Sequence, residues 1–176
     1  GRSDLKKMAD ISSEPVIDNG VVYAVSYQGQ LAAASTVSGQ ILWDRDISSY
    51  SGLAVDRNKL YLTDDRGHVV AYNKDTGNES WHMESLEGRI LTKPVVFGSK
   101  LVVADDDGNV HFISTKSGEL VARYDLGNRG INFAPIFEND MMFVLGNAGK
   151  IVAIRVADNR ARSTKLFCFF NRFTFR

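Results

Sequence analysis

Residues 33–43 read Ala33-Ala-Ser35-Thr-Val-Ser-Gly39-Gln-Ile-Leu-Trp43, and residues 71–81 repeat their spacing as Ala71-Tyr-Asn73-Lys-Asp-Thr-Gly77-Asn-Glu-Ser-Trp81. Both stretches place an alanine, a polar residue, a glycine and a tryptophan at the same separations. A third copy, weaker at its last position, runs from Phe112 through Gly118 to Ala122. An internal repeat of roughly 40 residues is typical of the four-stranded blade of a β-propeller.

The repeat extends on both sides of this motif. Each unit begins with a segment rich in β-branched, aromatic and aliphatic residues, which favours a buried strand. The four segments are Val21–Tyr27, Leu60–Thr63, Leu101–Ala104 and Met141–Leu145. Each is followed by a polar turn with a glycine, at Gly29, Gly67, Gly108 and Gly149, as short hairpin loops require. Helical periodicity is absent from the sequence outside its extreme ends, so we predict an all-β protein of about four propeller blades, each a four-stranded antiparallel sheet.

The repeat also predicts the organisation of the chain. We expect an inter-blade loop over residues 1–13 and four repeats over 14–156, at about 15–52, 53–93, 94–134 and, in part, 135–156. Residues 157–176 carry five basic groups, one acid and five phenylalanines but no repeat signature. This tail fits an added strand, a membrane-surface segment or a non-native extension. We favour a non-native or irregular extension that contributes little to folding.

Composition excludes several classes of protein. The 176 residues contain 21 basic and 21 acidic side chains, and residues 1–156 alone are mildly acidic, which argues against nucleic-acid binding. The single cysteine, Cys168, excludes an internal disulfide and a cysteine-cluster metal site. No run approaches the roughly 20 apolar residues that span a bilayer. Because the polar start at Gly1 lacks a signal peptide, we expect a piece of a longer protein.

Asp105-Asp106-Asp107-Gly108 is the most prominent candidate metal site, because successive carboxylates before a glycine resemble calcium loops. However, Ser114 stands where an EF-hand loop needs its bidentate glutamate. The cluster also falls at the hairpin position of the repeat, where Asp-Gly turns are favoured by geometry. We therefore predict a turn without a metal.

His68, His82 and His111 are the remaining candidates for chemistry. They share no metal-ligand spacing and occupy non-equivalent places in the repeat, so we interpret them as solvated or core histidines. The serines lie in predicted turns, which gives no nucleophile–base arrangement. We predict no catalytic residue, no metal site and no cofactor.

The paired Gly-x-x-x-Trp motifs resemble the tryptophan-docking motif of propellers with pyrroloquinoline-quinone (PQQ) repeats. That resemblance implies that a tryptophan on the outer strand packs on the turn of a neighbouring blade. The implied structural docking positions are Trp43, Trp81, Gly39, Gly77 and Gly118. The docking contact of the third unit should be weaker, since that unit ends in Ala122.

Within this superfamily the chain is more similar to the BamB family of outer-membrane assembly lipoproteins. The similarity rests on the stretch from Met8 to Tyr23, on Ser38-Gly-Gln-Ile-Leu-Trp43 and on Arg89-Ile-Leu-Thr-Lys-Pro94-Val. It implies half of an eight-bladed ring in the periplasm, at the inner face of the outer membrane. It also implies a non-catalytic scaffold that binds the periplasmic domains of BamA and aids insertion of outer-membrane proteins. The family's lipid anchor would lie outside this piece.

The same resemblance points to residues near the start of the chain as partner-binding residues: Leu5, Lys6, Lys7 and Asp10. Where the family has a second acidic residue, this chain has Ser12. A solvated loop is the alternative interpretation of these charges.

Two alternative functions remain open. The chain can be part of a PQQ-dependent dehydrogenase, which shares the propeller, or an interaction propeller with another partner. A half-ring also leaves sheet faces uncovered, so we expect self-association of the chain.

Overall fold

The computed structural model describes residues 13–27, 29–127, 130–147, 149–155 and 171–174. The regular secondary structure in these ranges is β throughout, arranged as four sheets of four strands. The chain divides into two compact units, residues 1–88 and residues 89–176, each with two sheets.

The first unit contains the first and second sheets. The first sheet consists of Val16–Asp18 (β1), Val21–Val25 (β2), Gln30–Ser35 (β3) and Ile41–Asp46 (β4). The second consists of Leu53–Val55 (β5), Lys59–Thr63 (β6), Val69–Asn73 (β7) and Glu79–Met83 (β8).

The second unit contains the third and fourth sheets. The third sheet consists of Val95–Phe97 (β9), Lys100–Ala104 (β10), Asn109–Ser114 (β11) and Leu120–Asp125 (β12). The fourth consists of Ile136–Glu138 (β13), Met141–Gly146 (β14), Lys150–Arg155 (β15) and Asn171–Thr174 (β16).

In every sheet the strands lie in chain order and each pairs antiparallel with the next. Such a meander follows from the short turns that join most successive strands, because they leave no length for a crossover. The predicted fold class, an all-β protein built of four-stranded antiparallel blades, is confirmed.

The fourth sheet departs from the predicted boundaries. We expected the last repeat to stop near residue 156, with the tail outside it. Instead Asn171–Thr174 pairs antiparallel with β15, in a register that places Asn171 opposite Ala153 and Thr174 opposite Lys150. The physical reason is the free edge of β15, whose unpaired backbone groups can accept another strand. Tail residues 156–170, 175 and 176 lie outside the described ranges.

Each unit has its own hydrophobic core, made by alternate residues of facing strands. In the first unit the core combines Tyr23, Val25 and Leu31 with Leu60 and Leu62 of the second sheet. The first three share one face because Val25 pairs with Leu31 and Tyr23 lies two residues before Val25. In the second unit Val102, Val110 and Phe112 of the third sheet pack with residues of the fourth, including Met142 and Val144.

A β-bulge recurs between the third and fourth strands of the first three sheets. The register shifts after Ala33, Ala71 and Phe112, so that β4, β8 and β12 each carry one extra residue. The bulge falls immediately before Trp43, Trp81 and Ala122, and re-aims the side chain at each of these positions.

Within the described ranges, no helix is long and apolar enough to span a bilayer.

Candidate functional site

The predicted partner-binding residues Leu5, Lys6, Lys7 and Asp10 lie outside the described residues, which begin at residue 13. Their role stays a prediction from the family resemblance. The other predicted positions are described and can be examined in atomic detail.

Trp43 is 8% exposed and lies against the turn that joins β7 to β8. Its indole Nε1–H donates a hydrogen bond of 3.0 Å to the carbonyl oxygen of Lys74. Gly77 approaches so closely that a Cβ there would lie 2.6 Å from two ring atoms of Trp43. On the outer side the guanidinium carbon of Arg45 lies 5.8 Å from the ring centroid, and its Nη2 donates to the carbonyl of Thr76 at 2.9 Å. The tryptophan thus joins the first sheet to a turn of the second.

The three glycines of the motif, Gly39, Gly77 and Gly118, all have positive φ, at 70°, 66° and 74°. Their common requirement is therefore the backbone conformation of the turn, which glycine adopts without steric cost. At Gly77 a side chain is also excluded by the ring of Trp43. A Cβ built on Gly39 meets nothing within 4 Å.

The aromatic pairs follow the repeat. Tyr23 and Trp43 have ring centroids 6.1 Å apart at 42°, and Tyr61 and Trp81 have centroids 5.8 Å apart at 39°. In each sheet an alanine, such as Ala33, lies between the two aromatic positions.

The third sheet arranges the same three cross-strand positions differently. They are Val102, Phe112 and Ala122, so the aromatic ring moves to the central position. Phe112 is 1% exposed. The small Ala122 in β12 therefore lies opposite the large Phe112 in β11.

The Asp105–Gly108 cluster forms the turn between β10 and β11, as predicted. The Asp105 carboxylate is fully buried, and both of its oxygens make polar contacts. Its Oδ1 accepts the backbone N–H of Asn109 at 2.7 Å, and its Oδ2 lies 2.7 Å from Nε2 of His111. Nη1 of Arg89 donates to Asp105 Oδ2 at 2.7 Å and to Asp107 Oδ2 at 2.6 Å. These carboxylates serve the turn and an internal ion pair.

The charge of Asp105 is stabilised despite its burial. Burial by itself raises the pKa of this carboxyl, but the hydrogen bonds from His111 and Asn109 outweigh it and lower the pKa to about 2. Asp105 is therefore ionised at neutral pH and forms an ion pair with the guanidinium of Arg89.

Sequence reasoning treated the histidines as unrelated, but the second sheet brings two of them together. The ring centroids of His68 and His82 lie 5.1 Å apart, and Asp64 lies beside His68. Strand register is the signal that would have found this pair: His82 is opposite Val70, two residues beyond His68. Such diagonal neighbours are within reach across two strands.

A cleft in the first unit is lined by β1, the β5–β6 turn and Lys74. Lys74 Nζ donates to Asp18 Oδ2 at 2.6 Å, and this hydrogen bond raises the pKa of Lys74. This ion pair neutralises Lys74 within the chain and joins the first sheet to the second.

The family model described as outer membrane protein assembly factor BamB matches residues 1–83 and 65–162 of this chain. Among curated proteins, the outer membrane protein assembly factor BamB of Alkalilimnicola ehrlichii is 37% identical over 159 residues, or 90% of this chain and 42% of the relative. BamB of Legionella pneumophila is 36% identical, over 89% of this chain and 41% of the relative. The chain spans about two fifths of the length of these relatives.

Solved structures agree in fold. The crystal structure of BamB from Moraxella catarrhalis aligns with a TM-score of 0.76 and 27% identity, over 81% of this chain and 42% of that one. A quinohemoprotein alcohol dehydrogenase from Comamonas testosteroni aligns with a TM-score of 0.71, over 86% of this chain and 34% of that one, at 18% identity. The dehydrogenase therefore shares the fold alone.

The repeat, the four sheets and the match of the BamB model to nearly the whole chain lead to one conclusion: the chain belongs to the BamB family of outer membrane protein assembly factors.

Proposed function

We propose that this chain is part of a non-catalytic scaffold for outer membrane protein assembly, which acts by binding the periplasmic domains of BamA. The observation that carries the proposal is family membership: the BamB model and the BamB relatives match about nine tenths of the chain. An assembly factor needs a rigid surface that presents binding residues, and blades cross-linked by buried aromatic and ionic contacts supply such a surface.

The charged groups support a structural role for the described part of the chain. The Asp105 carboxylate contacts both Arg89 and His111, and Lys74 is paired with Asp18. A reactive centre instead needs a nucleophile or base directed into an open site. The internal pairing therefore favours scaffolding over catalysis.

The proposal includes a location and a contact region. We place the protein in the periplasm at the inner face of the outer membrane, where the family's lipid anchor would hold it. The proposed contact is the segment with Leu5, Lys6, Lys7 and Asp10, in which apolar and charged residues are close together in sequence. Charged residues of this kind orient a partner and set its association rate, while the apolar residue adds buried area.

Titration calorimetry with the periplasmic domains of BamA tests the proposal. The wild-type chain should bind, and Lys6→Glu combined with Lys7→Glu should weaken binding by roughly tenfold or more, because two favourable charges become repulsive. Arg57→Glu combined with Lys116→Glu reverses two exposed charges in turns and is the matched control, which should bind like the wild type.

Each result has a clear meaning. A wild-type chain that fails to bind would show that this part of the protein does not carry the BamA contact. Binding that survives the double reversal would move the contact away from residues 5–10. An equal loss in the control would mean that net charge alone governs association, and that a different partner is required.

A further inference from the structure

His68 and His82 lie on the same face of the second sheet. His68 immediately precedes β7, and His82 is in β8 opposite Val70. Their rings are 5.1 Å apart at 56°, a distance at which two imidazoles can bind one ion. Asp64, His68 and His82 each place one potential ligand atom within 4.8 Å of the others, and no other such group of three occurs among the residues that the structure describes.

The orientation of His68 is held by Asp64. Nδ1 of His68 lies 2.9 Å from Oδ2 of the Asp64 carboxylate. The other oxygen, Oδ1, accepts the backbone N–H groups of Arg66 at 2.9 Å and His68 at 2.7 Å. A carboxylate anchored in this way accepts a hydrogen bond from Nδ1–H of the neutral imidazole, which leaves the lone pair on Nε2.

That second nitrogen has no hydrogen-bond partner among the described residues. His68 is 7% exposed and its Nε2 is buried, which is costly for an unsatisfied polar atom. The Glu87 carboxylate is 3.8 Å away, too far for a hydrogen bond. Ligand atoms around a tetrahedral metal are about 3.4 Å apart, because Zn–N and Zn–O bonds are near 2.1 Å. A small movement of the exposed Glu87 side chain would therefore bring its carboxylate close enough to bind the same ion as His68 Nε2.

Within the described ranges, the ring nitrogens of His82 also make no close contact with a carboxylate. Its Nδ1 is 3.7 Å from Glu79 and its Nε2 is 4.0 Å from Glu84, both beyond hydrogen-bond distance. The side chain is 34% exposed, so it can turn to bind an ion without a change in the core.

We propose that His68, His82 and Glu87 bind one first-row transition-metal dication, with zinc as the representative ion. His68 would coordinate through Nε2, and Asp64 is the positioning residue that fixes its ring. Two imidazoles with one carboxylate favour zinc, nickel or copper over calcium or magnesium, which prefer oxygen ligands. The ion would tie the loop after β8 to the start of β7 and stabilise this end of the second sheet.

The third sheet contains a matched control. His111 is also fully buried, contacts Asp105 through Nε2 and leaves Nδ1 without a hydrogen-bond partner among the described residues. It belongs to no group of three potential ligands in the described part of the chain. A buried carboxylate–imidazole pair without a second imidazole should not bind the metal.

Cobalt absorption and zinc calorimetry on the tag-free, metal-stripped chain test the proposal. Wild type should bind one Zn²⁺ per chain, show the visible absorption of tetrahedral Co²⁺ that Zn²⁺ displaces, and melt at a higher temperature with zinc. His82→Ala removes an exposed ligand and should weaken zinc binding at least tenfold. Asp64→Asn should weaken it by roughly 10–100-fold, as loss of an orienting carboxylate does.

Two controls complete the experiment. His111→Gln and Glu119→Gln should leave zinc affinity unchanged, while Glu87→Gln should lower it. Circular dichroism identifies the variants that fold. If His68→Gln does not fold, the zinc affinities of the variants at the exposed ligands His82 and Glu87 test the proposal instead. The proposal is overturned if wild type binds no stoichiometric zinc, or if His82→Ala binds as tightly as wild type.

Discussion

At Asp105 the cost of burying a charged carboxyl is opposed by the hydrogen bonds that stabilise the charge. Its carboxyl is fully buried, yet hydrogen bonds from His111 and Asn109 hold its pKa at about 2, below the ordinary 3.8. Because the folded-state pKa is depressed, the charge stabilises the fold above about pH 4, and this contribution is lost as the pH falls from about 4 to 2. Lowering the pKa of this carboxyl from 3.8 to about 2 corresponds to about 2 kcal/mol in the free energy of unfolding.

We therefore expect Asp105→Asn to lower the free energy of unfolding by at least about 2 kcal/mol at pH 6, since the charge of Arg89 then lacks its buried partner. The difference between wild type and this variant should shrink by about 2 kcal/mol between pH 6 and pH 2. Urea denaturation at several pH values measures both quantities. Asp107→Asn removes a largely exposed partner of the same arginine and should show little pH-dependent difference. A constant difference for Asp105→Asn would contradict the assigned charge state.

At the level of elements, the turn between β7 and β8 is shaped by the strand that docks on it. Gly77 and Gly39 have nearly the same positive φ, 66° and 70°, but only Gly77 lies against Trp43. Alanine costs roughly 1–2 kcal/mol at either position from the left-handed backbone alone. At Gly77 the added Cβ would also overlap the buried indole ring, at a further cost of roughly 1–3 kcal/mol.

Gly77→Ala should accordingly be destabilised more than Gly39→Ala, by roughly 1–3 kcal/mol in urea denaturation. The two substitutions are matched in residue type and in turn geometry, so their difference isolates the tryptophan contact. Equal losses at the two glycines would show that the turn conformation, not the docking of Trp43, explains the motif.

For the whole molecule, the fourth sheet presents an uncovered apolar face. Ile136, Phe143 and Leu145 share this face and are 68%, 38% and 40% exposed, while Met142 and Val144 on the opposite face are buried. Full burial of a side chain of this size stabilises by about 1.5–3 kcal/mol. Three such side chains on one sheet face form a surface suited to packing against another sheet.

We expect a second copy of the chain to cover this face, so that the protein self-associates at micromolar concentration. Light scattering should give a mass above the 19.5 kDa of one chain. Phe143→Asp combined with Leu145→Asp should restore the monomer, because burial of two carboxylates is unfavourable. Val37→Asp changes a 94% exposed turn residue and should leave the association unchanged. A wild-type chain that stays monomeric would refute the expectation.

The sequence by itself determined the class of the fold and the phase of the repeat. A spacing of about 40 residues, turn glycines and apolar strands are local patterns, and each is set by backbone conformation within a few residues of itself. The same patterns placed the Asp105–Gly108 turn correctly, since a hairpin loop is short in sequence. Family resemblance added the scaffold hypothesis because its motifs extend over most of the chain.

Only the tertiary structure decided which distant residues meet. Arg89 reaches Asp105 and His68 reaches His82 through strand pairing and the connections between strands, and neither separation matches a local pattern. The sequence offered the strand at Asn171–Thr174 only as one of three interpretations of the tail, for a related reason: it lacks the repeat signature, and its pairing depends on the open edge of β15. Contacts of this kind are set by register and packing across the sheet, which the order of residues along one strand does not specify.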